Sequence, residues 1–356
     1  MGRMECNLEL DTLTLAAGSA YWFPSSLQFK RLYATGNCNG YISMRPIDGL
    51  ALSNWNALGS SNTIQYALLE KIAVSNGSIT AGNSINNGSV TGITFGTSMG
   101  RTLFWVGGSG AWQDTAHWSL VSGGPGGECL PGPSDSVVIN NNSAPSNLTV
   151  SLDGVCMARD LIVATTTKSL TFNKATGSSA QTSLDLYGSM KLSPLTTFSW
   201  GYGGDIWGTG TWIRFRAISG TQTVESHGRL LPLVQKLNTA NVLFLDSTRI
   251  GQYFQDGAGI VDAGGNYFST AADHWGSQGT FRNIGGKMKF ARWFGNNTID
   301  VPNSSIEINE RYLNLTGSIN SKGALIKLTF EEPEMTYSSP DTLVRVEFTN
   351  PNAQGR

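Results

Sequence analysis

Residues 183–192 read SLDLYGSMKL, a stretch in which apolar and polar side chains alternate around one glycine. Successive side chains of a β-strand point to opposite faces of its sheet, so this alternation predicts strands with one face on an apolar core. Glycine tolerates backbone conformations that other residues avoid, and here it predicts a turn between two strands. A chain built from many such stretches is an all-β protein.

The same alternation recurs along most of the chain. We expect further strands at residues 7–15, 27–33, 211–216, 241–246, 287–292, 305–309 and 312–315. Residues 63–73 fit either a helix or a strand with a turn. Glycine and asparagine crowd this stretch on both sides and no clear helix cap follows it, so we favour the strand.

The composition agrees with a β protein. Charged residues make up 14% of the 356 residues, against about 25% in an average soluble domain. The chain holds 43 glycines, where an average composition gives about 25. The net charge of −1 offers no basic face to nucleic acid, and no run approaches the roughly 20 apolar residues that span a bilayer. We therefore expect no nucleic-acid partner and no membrane insertion.

Many short strands fit either a sandwich or a solenoid. A sandwich pairs its strands through hairpins, whereas a solenoid stacks parallel coils of about 20–30 residues. Between residues 149 and 320 Asn-Gly hairpin signals are few, and this favours a right-handed parallel β-helix. We divide the chain into an N-terminal β-solenoid module (1–103), a Trp/Gly-rich connecting motif (104–148), the main β-solenoid (149–320) and a C-terminal β cap (321–356).

The C-terminal segment holds two strongly alternating runs, residues 324–330 and 342–349. We expect them to form an antiparallel pair that covers the end of the solenoid. An uncovered end would leave backbone groups unpaired and open to association. The alternative is an ordinary hairpin without a capping role.

The most distinctive stretch is residues 104–119, which read FWVGGSGAWQDTAHWS. Three tryptophans and one histidine stand at irregular spacing among glycines. This spacing does not fit a helix, and it predicts a compact, loop-rich segment in which aromatic rings cover glycine backbone. For His117 we expect a structural hydrogen bond over a ligand role. A glycine-rich stretch and PGPSDSVVI at residues 131–139 follow.

This pattern resembles a module of large secreted surface proteins of Bacteroidota and of tail proteins of phages that infect them. The resemblance extends over about residues 5–260 and is strongest over residues 104–139. It implies a β-solenoid with a structural or adhesive role at a surface, and it implies no catalytic residues. The chain starts without the apolar run of a secretory signal, which favours the phage side.

We therefore expect a virion protein, a tail fibre or tail-associated component that contacts the host surface. Its expected partners are other virion or surface proteins, further copies in a homotrimer, and a host glycan or receptor. One alternative is a fragment of a Bacteroidota cell-surface adhesin. The others are a β-helix polysaccharide depolymerase and a carbohydrate-binding module. The expected location is the virion or the extracellular surface.

Four cysteines occur, Cys6, Cys38, Cys129 and Cys156, and none forms a CxxC pair. This spacing argues against a zinc site. Two interpretations remain open: four small buried residues, or two bridges that join Cys6 to Cys38 and Cys129 to Cys156. Sequence alone does not decide the pairing.

The sequence contains no HExxH, P-loop or dinucleotide fingerprint. We expect no catalytic, cofactor-binding or metal-binding residues and no cofactor. His274 is expected in a loop. A depolymerase would need a pair of carboxylates, and the candidates, with Arg249 nearby in sequence, are Asp246, Asp256, Asp262 and Asp273. Asp246 and Asp273 would approach each other if they stood one coil apart; the alternative for each aspartate is a turn-capping role.

Aromatic residues cluster in the second half of the chain. Exposed aromatic side chains suit contact with a sugar face or with another subunit, and buried ones suit a core. The candidates for glycan or subunit contact are Tyr202, Trp207, Trp212, Tyr253, Tyr267 and Trp275, and Trp293 lies close to them in sequence.

Overall fold

The computed structural model describes residues 2–3, 9–47, 51–96, 100–176, 182–200, 210–310, 312–329, 334–337 and 345–348. Strands make up 56% of the chain, which is a parallel β-solenoid of about 15 turns without an α-helix in the described residues. The predicted all-β solenoid is therefore confirmed. The described part also contains no helix long and apolar enough to cross a membrane. The chain divides into two units, Met1–Arg101 and Thr102–Arg356, and this division falls close to the boundary we placed after residue 103.

The first unit contains twelve strands in its described residues. They are β1 (Gly2–Arg3), β2 (Glu9–Leu15), β3 (Ala20–Phe23), β4 (Ser26–Thr35), β5 (Ile42–Pro46), β6 (Ser53–Asn56), β7 (Ser61–Gln65), β8 (Ala67–Leu69), β9 (Ile72–Ser75), β10 (Ser78–Gly82), β11 (Ile85–Asn86) and β12 (Ile93–Phe95).

These strands form two parallel sheets that enclose one apolar core. The first sheet has the order β1-β3-β5-β8-β11, and the second has the order β12-β10-β7-β4-β6-β9 with β2 paired to β4. Inside lie Phe23, Phe29 and Trp55, all fully buried and packed edge to face. The indole nitrogen of Trp55 donates to Ser53 Oγ at 2.9 Å, which satisfies the one polar group of that ring.

The stretch that also fitted a helix is confirmed as strand. Residues 63–73 run through β7, β8 and the start of β9. The chain turns between these strands at Tyr66 and Lys71, where φ is 51° and 52°. Two left-handed residues only five positions apart cannot belong to a helix of L-residues, so the local backbone excludes that alternative.

The second unit contains the remaining described strands and one turn of 3₁₀ helix, Thr115–His117. The strands are β13 (Thr102–Trp105), β14 (Gly110–Ala111), β15 (Trp118–Ser119), β16 (Ser136–Asn140), β17 (Leu148–Leu152), β18 (Val155–Ala158), β19 (Leu161–Ala164), β20 (Leu170–Lys174), β21 (Thr182–Leu186), β22 (Met190–Lys191), β23 (Thr196–Phe198), β24 (Thr211–Phe215), β25 (Thr221–Glu225), β26 (Leu230–Lys236), β27 (Asn241–Phe244), β28 (Thr248–Gln255), β29 (Ile260–Asp262), β30 (Phe268–Gly276), β31 (Thr280–Arg282), β32 (Lys287–Gly295), β33 (Thr298–Asp300), β34 (Ser305–Ile308), β35 (Tyr312–Leu315), β36 (Ile319–Asn320), β37 (Leu325–Leu328), β38 (Glu334–Tyr337) and β39 (Val346–Phe348).

Three sheets run along this unit. One has the order β15-β13-β16-β19-β22-β25-β27-β29-β31-β33-β36, and a short one has β14-β17-β20-β23. The third follows β18-β21-β24-β26-β28-β30-β32-β34-β37-β39, with β35 paired to β32 and to β38. Each coil adds a strand to the long sheets, so apolar residues one coil apart stack in a continuous core. Within residues 183–192, the side chains of Leu184, Leu186, Met190 and Leu192 all point into this core.

The tryptophan-rich segment belongs to the second unit. Trp105 and Trp118 face each other across the antiparallel pair β13–β15, with ring centroids 5.0 Å apart. The His117 ring stacks on Trp105 at 4.6 Å, and its Nδ1 lies 2.7 Å from the carbonyl oxygen of Val106. The ring-over-glycine packing is tight at Gly110, where an added Cβ would lie 1.8 Å from His117 Nε2. His117 therefore has the structural hydrogen bond that we expected.

The predicted antiparallel pairing at the C-terminus is wrong. Strands β37 and β39 pair in parallel, with Ile326 opposite Val346. Between them in sequence lies β38, which pairs in parallel with β35. The two runs are therefore one coil apart, and the chain continues the solenoid where the alternation suggested a hairpin.

The predicted bridge between Cys129 and Cys156 is also wrong. Cys129 belongs to a disulfide bond, but Cys156 is a free, buried thiol. Its strand, β18, directs Cys156 and Ala158 into the core, and burial raises the pKa of the Cys156 thiol to about 12. The other predicted bridge involves Cys6, which lies outside the described residues.

Candidate functional site

The candidate site lies where the longest sheet of the second unit bends. Strands β28, β30 and β32 are eight or nine residues long, and each continues past a bend in the coil. The pairing register shifts between Ile250 and Tyr253 and again between Thr270 and Asp273. Such irregularities bend a strand and re-aim its side chains. Small residues, among them Ala271 and Ala291, leave space at this bend.

A groove of about 380 Å³ opens at the bend. Apolar, small and polar residues all line it. The lining residues are Leu230, Arg249, Ile250, Tyr267, Ser269, Thr270, Ala271, Lys289, Ala291 and Asn309.

Several polar side chains of the groove have no partner of their own. The side chains of Arg249, Tyr267, Ser269 and Asn309 make no hydrogen bond or ion pair with any described residue. Lys289 differs, because its Nζ lies 2.7 Å from Glu307 Oε1, and this hydrogen bond raises the pKa of Lys289. The groove therefore presents convergent donors and acceptors that an incoming polar ligand could use.

An aromatic row lies on the same sheet beyond the bend. The pairing register aligns Phe254, Trp275 and Phe294 on successive strands. The Trp275 side chain is 44% exposed, and its ring centroid lies 5.5 Å from that of Phe294. Trp275 thus offers an accessible indole face next to a second ring.

Charged side chains lie between the groove and the aromatic row. Arg292 Nε lies 2.8 Å from Asp273 Oδ1 and 3.5 Å from Glu310 Oε2. Gln252 Nε2 donates to Asp273 Oδ2 at 2.6 Å. The Arg292–Asp273 contact is an ion pair without the alignment of a hydrogen bond. This network holds the side chains at the bend in place without filling the groove.

The structure divides the predicted contact residues into three sets. Tyr267 and Trp275 are exposed, at 38% and 44%. Trp212 and Tyr253 are 2% and 1% exposed, so their assignment as glycan or subunit contacts is wrong. Tyr202 and Trp207 lie outside the described residues.

Each buried aromatic has a physical reason for its position. Tyr253 faces the coil interior, where its ring lies 5.0 Å from His274. Trp212 points the other way and packs with Leu233 and Phe254 in a small separate cluster. Composition and spacing do not distinguish the exposed ring of Trp275 from the buried rings of Trp212 and Tyr253, because all three lie in strands.

The four candidate acids serve the fold. Asp246 accepts hydrogen bonds from the backbone nitrogen and the hydroxyl of Ser226, at 3.0 and 2.9 Å. Asp262 accepts from the backbone nitrogen of Gly264 at 2.8 Å, which is the expected turn-capping contact. Asp256 accepts from Gln235 at 2.7 Å.

Asp246 and Asp273 stand on different stacks of the solenoid. The register places Asp273 opposite Arg292, and Gln252 of the preceding coil bonds to it. Asp246 lies instead over the turn at Ser226. The carboxylate pair that a depolymerase would need is therefore not formed by these two residues.

The prediction that His274 lies in a loop is wrong. It lies in β30, not in a loop, and it is fully buried among Tyr253, Phe281, Phe290 and Trp293. Neither ring nitrogen has a hydrogen-bond partner in the described structure. Burial lowers the pKa of His274 to about 3, so the ring is neutral at physiological pH.

A second concavity, of about 520 Å³, lies beside the tryptophan-rich segment. Its polar side chains are already bonded to their neighbours. Lys168 Nζ donates to the carbonyl oxygen of Asn141 at 2.5 Å, and Asn142 Nδ2 donates to Ser122 Oγ at 3.1 Å. The groove at the bend is the better candidate because four of its polar side chains, those of Arg249, Tyr267, Ser269 and Asn309, have no such partner. Among the described residues no cluster of His, Cys, Asp or Glu is arranged to hold a metal ion.

No protein-family model, no curated protein and no solved structure matches the chain.

Proposed function

We propose that this chain is a non-enzymatic structural and adhesive protein that binds a glycan through the long sheet of its second unit. In this proposal it is a virion component, a tail fibre or tail-associated protein that contacts the host surface. Other virion proteins and further copies of the chain, in a homotrimer, are its proposed partners.

The groove at the bend is the observation that carries the adhesive role. Sugars combine dense hydroxyl groups with apolar ring faces. The unpartnered side chains of Arg249, Tyr267, Ser269 and Asn309 suit the hydroxyl groups, and the exposed face of Trp275 suits a ring face. Arg249, Ser269 and Trp275 stand on strands β28 and β30, which hold a site more rigidly than loops do.

The first alternative is a fragment of a cell-surface adhesin, which would use the same groove on a bacterial envelope. The second is a depolymerase. The candidate acids argue against catalysis at their positions, because Asp246, Asp256, Asp262 and Asp273 are each held by hydrogen bonds within the fold.

Immunogold labelling distinguishes a location on the virion from a location on the bacterial cell surface. An antibody against the chain is applied to phage particles and, separately, to host cells. Gold on the tail or another virion surface supports the virion proposal. Gold on the cell envelope alone replaces it with the adhesin alternative, and label on neither surface contradicts the proposed function.

A further inference from the structure

We propose that the groove at the bend binds an anionic glycan and that Arg249 recognises its acid groups. This inference rests on the proposed adhesive function and names the class of ligand.

Cations outnumber anions at the groove. Arg249 is exposed and its guanidinium has no ion-pair partner in the described structure. Lys289 lines the groove, and Lys287 is exposed on the same outward side of β32. Glu307 supplies the carboxylate opposite Lys289. Because the whole chain has a net charge of −1, this excess of positive charge is a local feature.

The guanidinium of Arg249 suits a carboxylate or a sulfate. Its planar fork donates two parallel hydrogen bonds to two oxygens of one acid group, which a neutral hydroxyl cannot accept. Ser269 and Asn309 supply further donors and acceptors for sugar hydroxyls, and Tyr267 adds an aromatic edge. The groove volume of about 380 Å³ lies in the range of ligand sites.

The pairing register of the strands predicts that the bound glycan runs along the solenoid axis. Leu230, Arg249, Ser269, Lys289 and Glu307 occupy one ladder of outward positions on successive strands. Adjacent strands lie about 4.8 Å apart, so Arg249 and Lys289 are separated by ~10 Å along the solenoid axis. A linear glycan that runs along the axis with acid groups at this interval reaches both cations.

The test compares charged and neutral forms of the same polymers. Polygalacturonate supplies carboxylates and dextran sulfate supplies sulfates, while methyl-esterified polygalacturonate and dextran lack the charges. Affinity is measured by titration with the full chain. We expect at least one anionic polymer to bind roughly tenfold or more tightly than its neutral form.

The variants are Arg249→Gln and Lys289→Gln, with Lys30→Gln as a control that removes an exposed cation outside the groove. Arg249→Gln should weaken anionic binding roughly tenfold, Lys289→Gln less because Glu307 already engages that ammonium, and Lys30→Gln should leave it unchanged. Circular dichroism checks that each variant folds.

Three results would overturn the inference. Equal binding of charged and neutral polymers would leave an adhesive groove without selection for acid groups. Anionic binding that survives Arg249→Gln would show attraction to the general surface. Failure to bind any of the four polymers also overturns it, and the immunogold experiment then decides the proposed adhesive function on its own.

Discussion

Trp275 and Trp293 show how one strand position decides the role of a residue. They lie on adjacent strands one register step apart, since Trp293 pairs with His274 and Trp275 pairs with Phe294. Alternation then sends Trp293 into the core, where it is 1% exposed, and leaves Trp275 44% exposed. The two tryptophans therefore form a matched pair for substitution.

We expect Trp293→Ala to lower the free energy of unfolding by about 3–5 kcal/mol, because it removes a buried indole and leaves a cavity. Trp275→Ala should cost less than about 1.5 kcal/mol but should weaken glycan binding. Denaturant unfolding and a binding titration measure the two effects. A large loss of stability in Trp275→Ala would contradict the assignment of this ring to the binding face.

His274 makes stability depend on pH. Its pKa is about 3 in the folded chain and about 6.5 when unfolded, so between these values the unfolded chain binds the extra proton. The contribution of the neutral ring is complete above pH 6.5 and is lost as the pH falls toward 3. At pH 4 the loss should be about 3 kcal/mol.

His274→Phe isolates this contribution from the carboxylates, which also titrate in acid. The variant keeps an aromatic ring among Phe281, Phe290 and Trp293 and removes two buried nitrogens without partners. We expect its unfolding free energy to fall less between pH 7 and pH 4 than that of the parent. If the unfolding free energies of the two proteins fell equally between pH 7 and pH 4, His274 would not be a buried neutral histidine.

Among the elements, the tryptophan-rich segment depends on one glycine. Any Cβ at Gly110 would overlap the His117 ring, which is stacked on Trp105 and bonded to the Val106 carbonyl. Gly110, Trp105 and the Val106 carbonyl together therefore hold the His117 ring in place. Gly108 offers a control, because a Cβ there would meet no atom within 4 Å although its φ is +84°.

We expect Gly110→Ala to displace the His117 ring and change the near-ultraviolet circular dichroism of the stacked tryptophan. Gly108→Ala should keep that signal and cost about 1 kcal/mol of stability, because an L-residue is strained at positive φ. An unchanged spectrum in Gly110→Ala would mean that the ring is not packed against this glycine.

At this scale the sequence predicts strands well and their partners poorly. Alternation in residues 183–192 and 287–292 is local, and it gives strand position and inward face directly. Which strands pair depends on the length of each coil, and this length varies along the chain. The spacing of the residues therefore did not predict that β37 pairs in parallel with β39, or that Cys156 is a free thiol. The groove lies beside register shifts after Ile250 and Thr270. Ile250 and Tyr253 both face the core although they are three positions apart, so simple alternation does not predict the strand there.

At the scale of the whole molecule, the two units have separate apolar cores. Phe29 and Trp55 belong to the core of the first unit, and Phe268 and Trp293 belong to that of the second. Because a solenoid is stabilised mainly by contacts between neighbouring coils, each core should persist without the other.

We expect a fragment of residues 102–356 to show the far-ultraviolet spectrum of β structure and a cooperative unfolding transition. The fragment is prepared under reducing conditions, because Cys129 belongs to a disulfide bond in the full chain. An unfolded or aggregated fragment would show that the second unit needs the first.

The most direct test of the central claim is to measure binding and cleavage in one sample. The purified chain is incubated with purified host-surface polysaccharide, and both retention on the polysaccharide and newly released reducing ends are followed over time. We predict retention, reduced by Trp275→Ala, with no reducing ends above the rate of a protein-free control. Release of reducing ends by the chain, or no retention on any host polysaccharide, would contradict a non-enzymatic adhesive role.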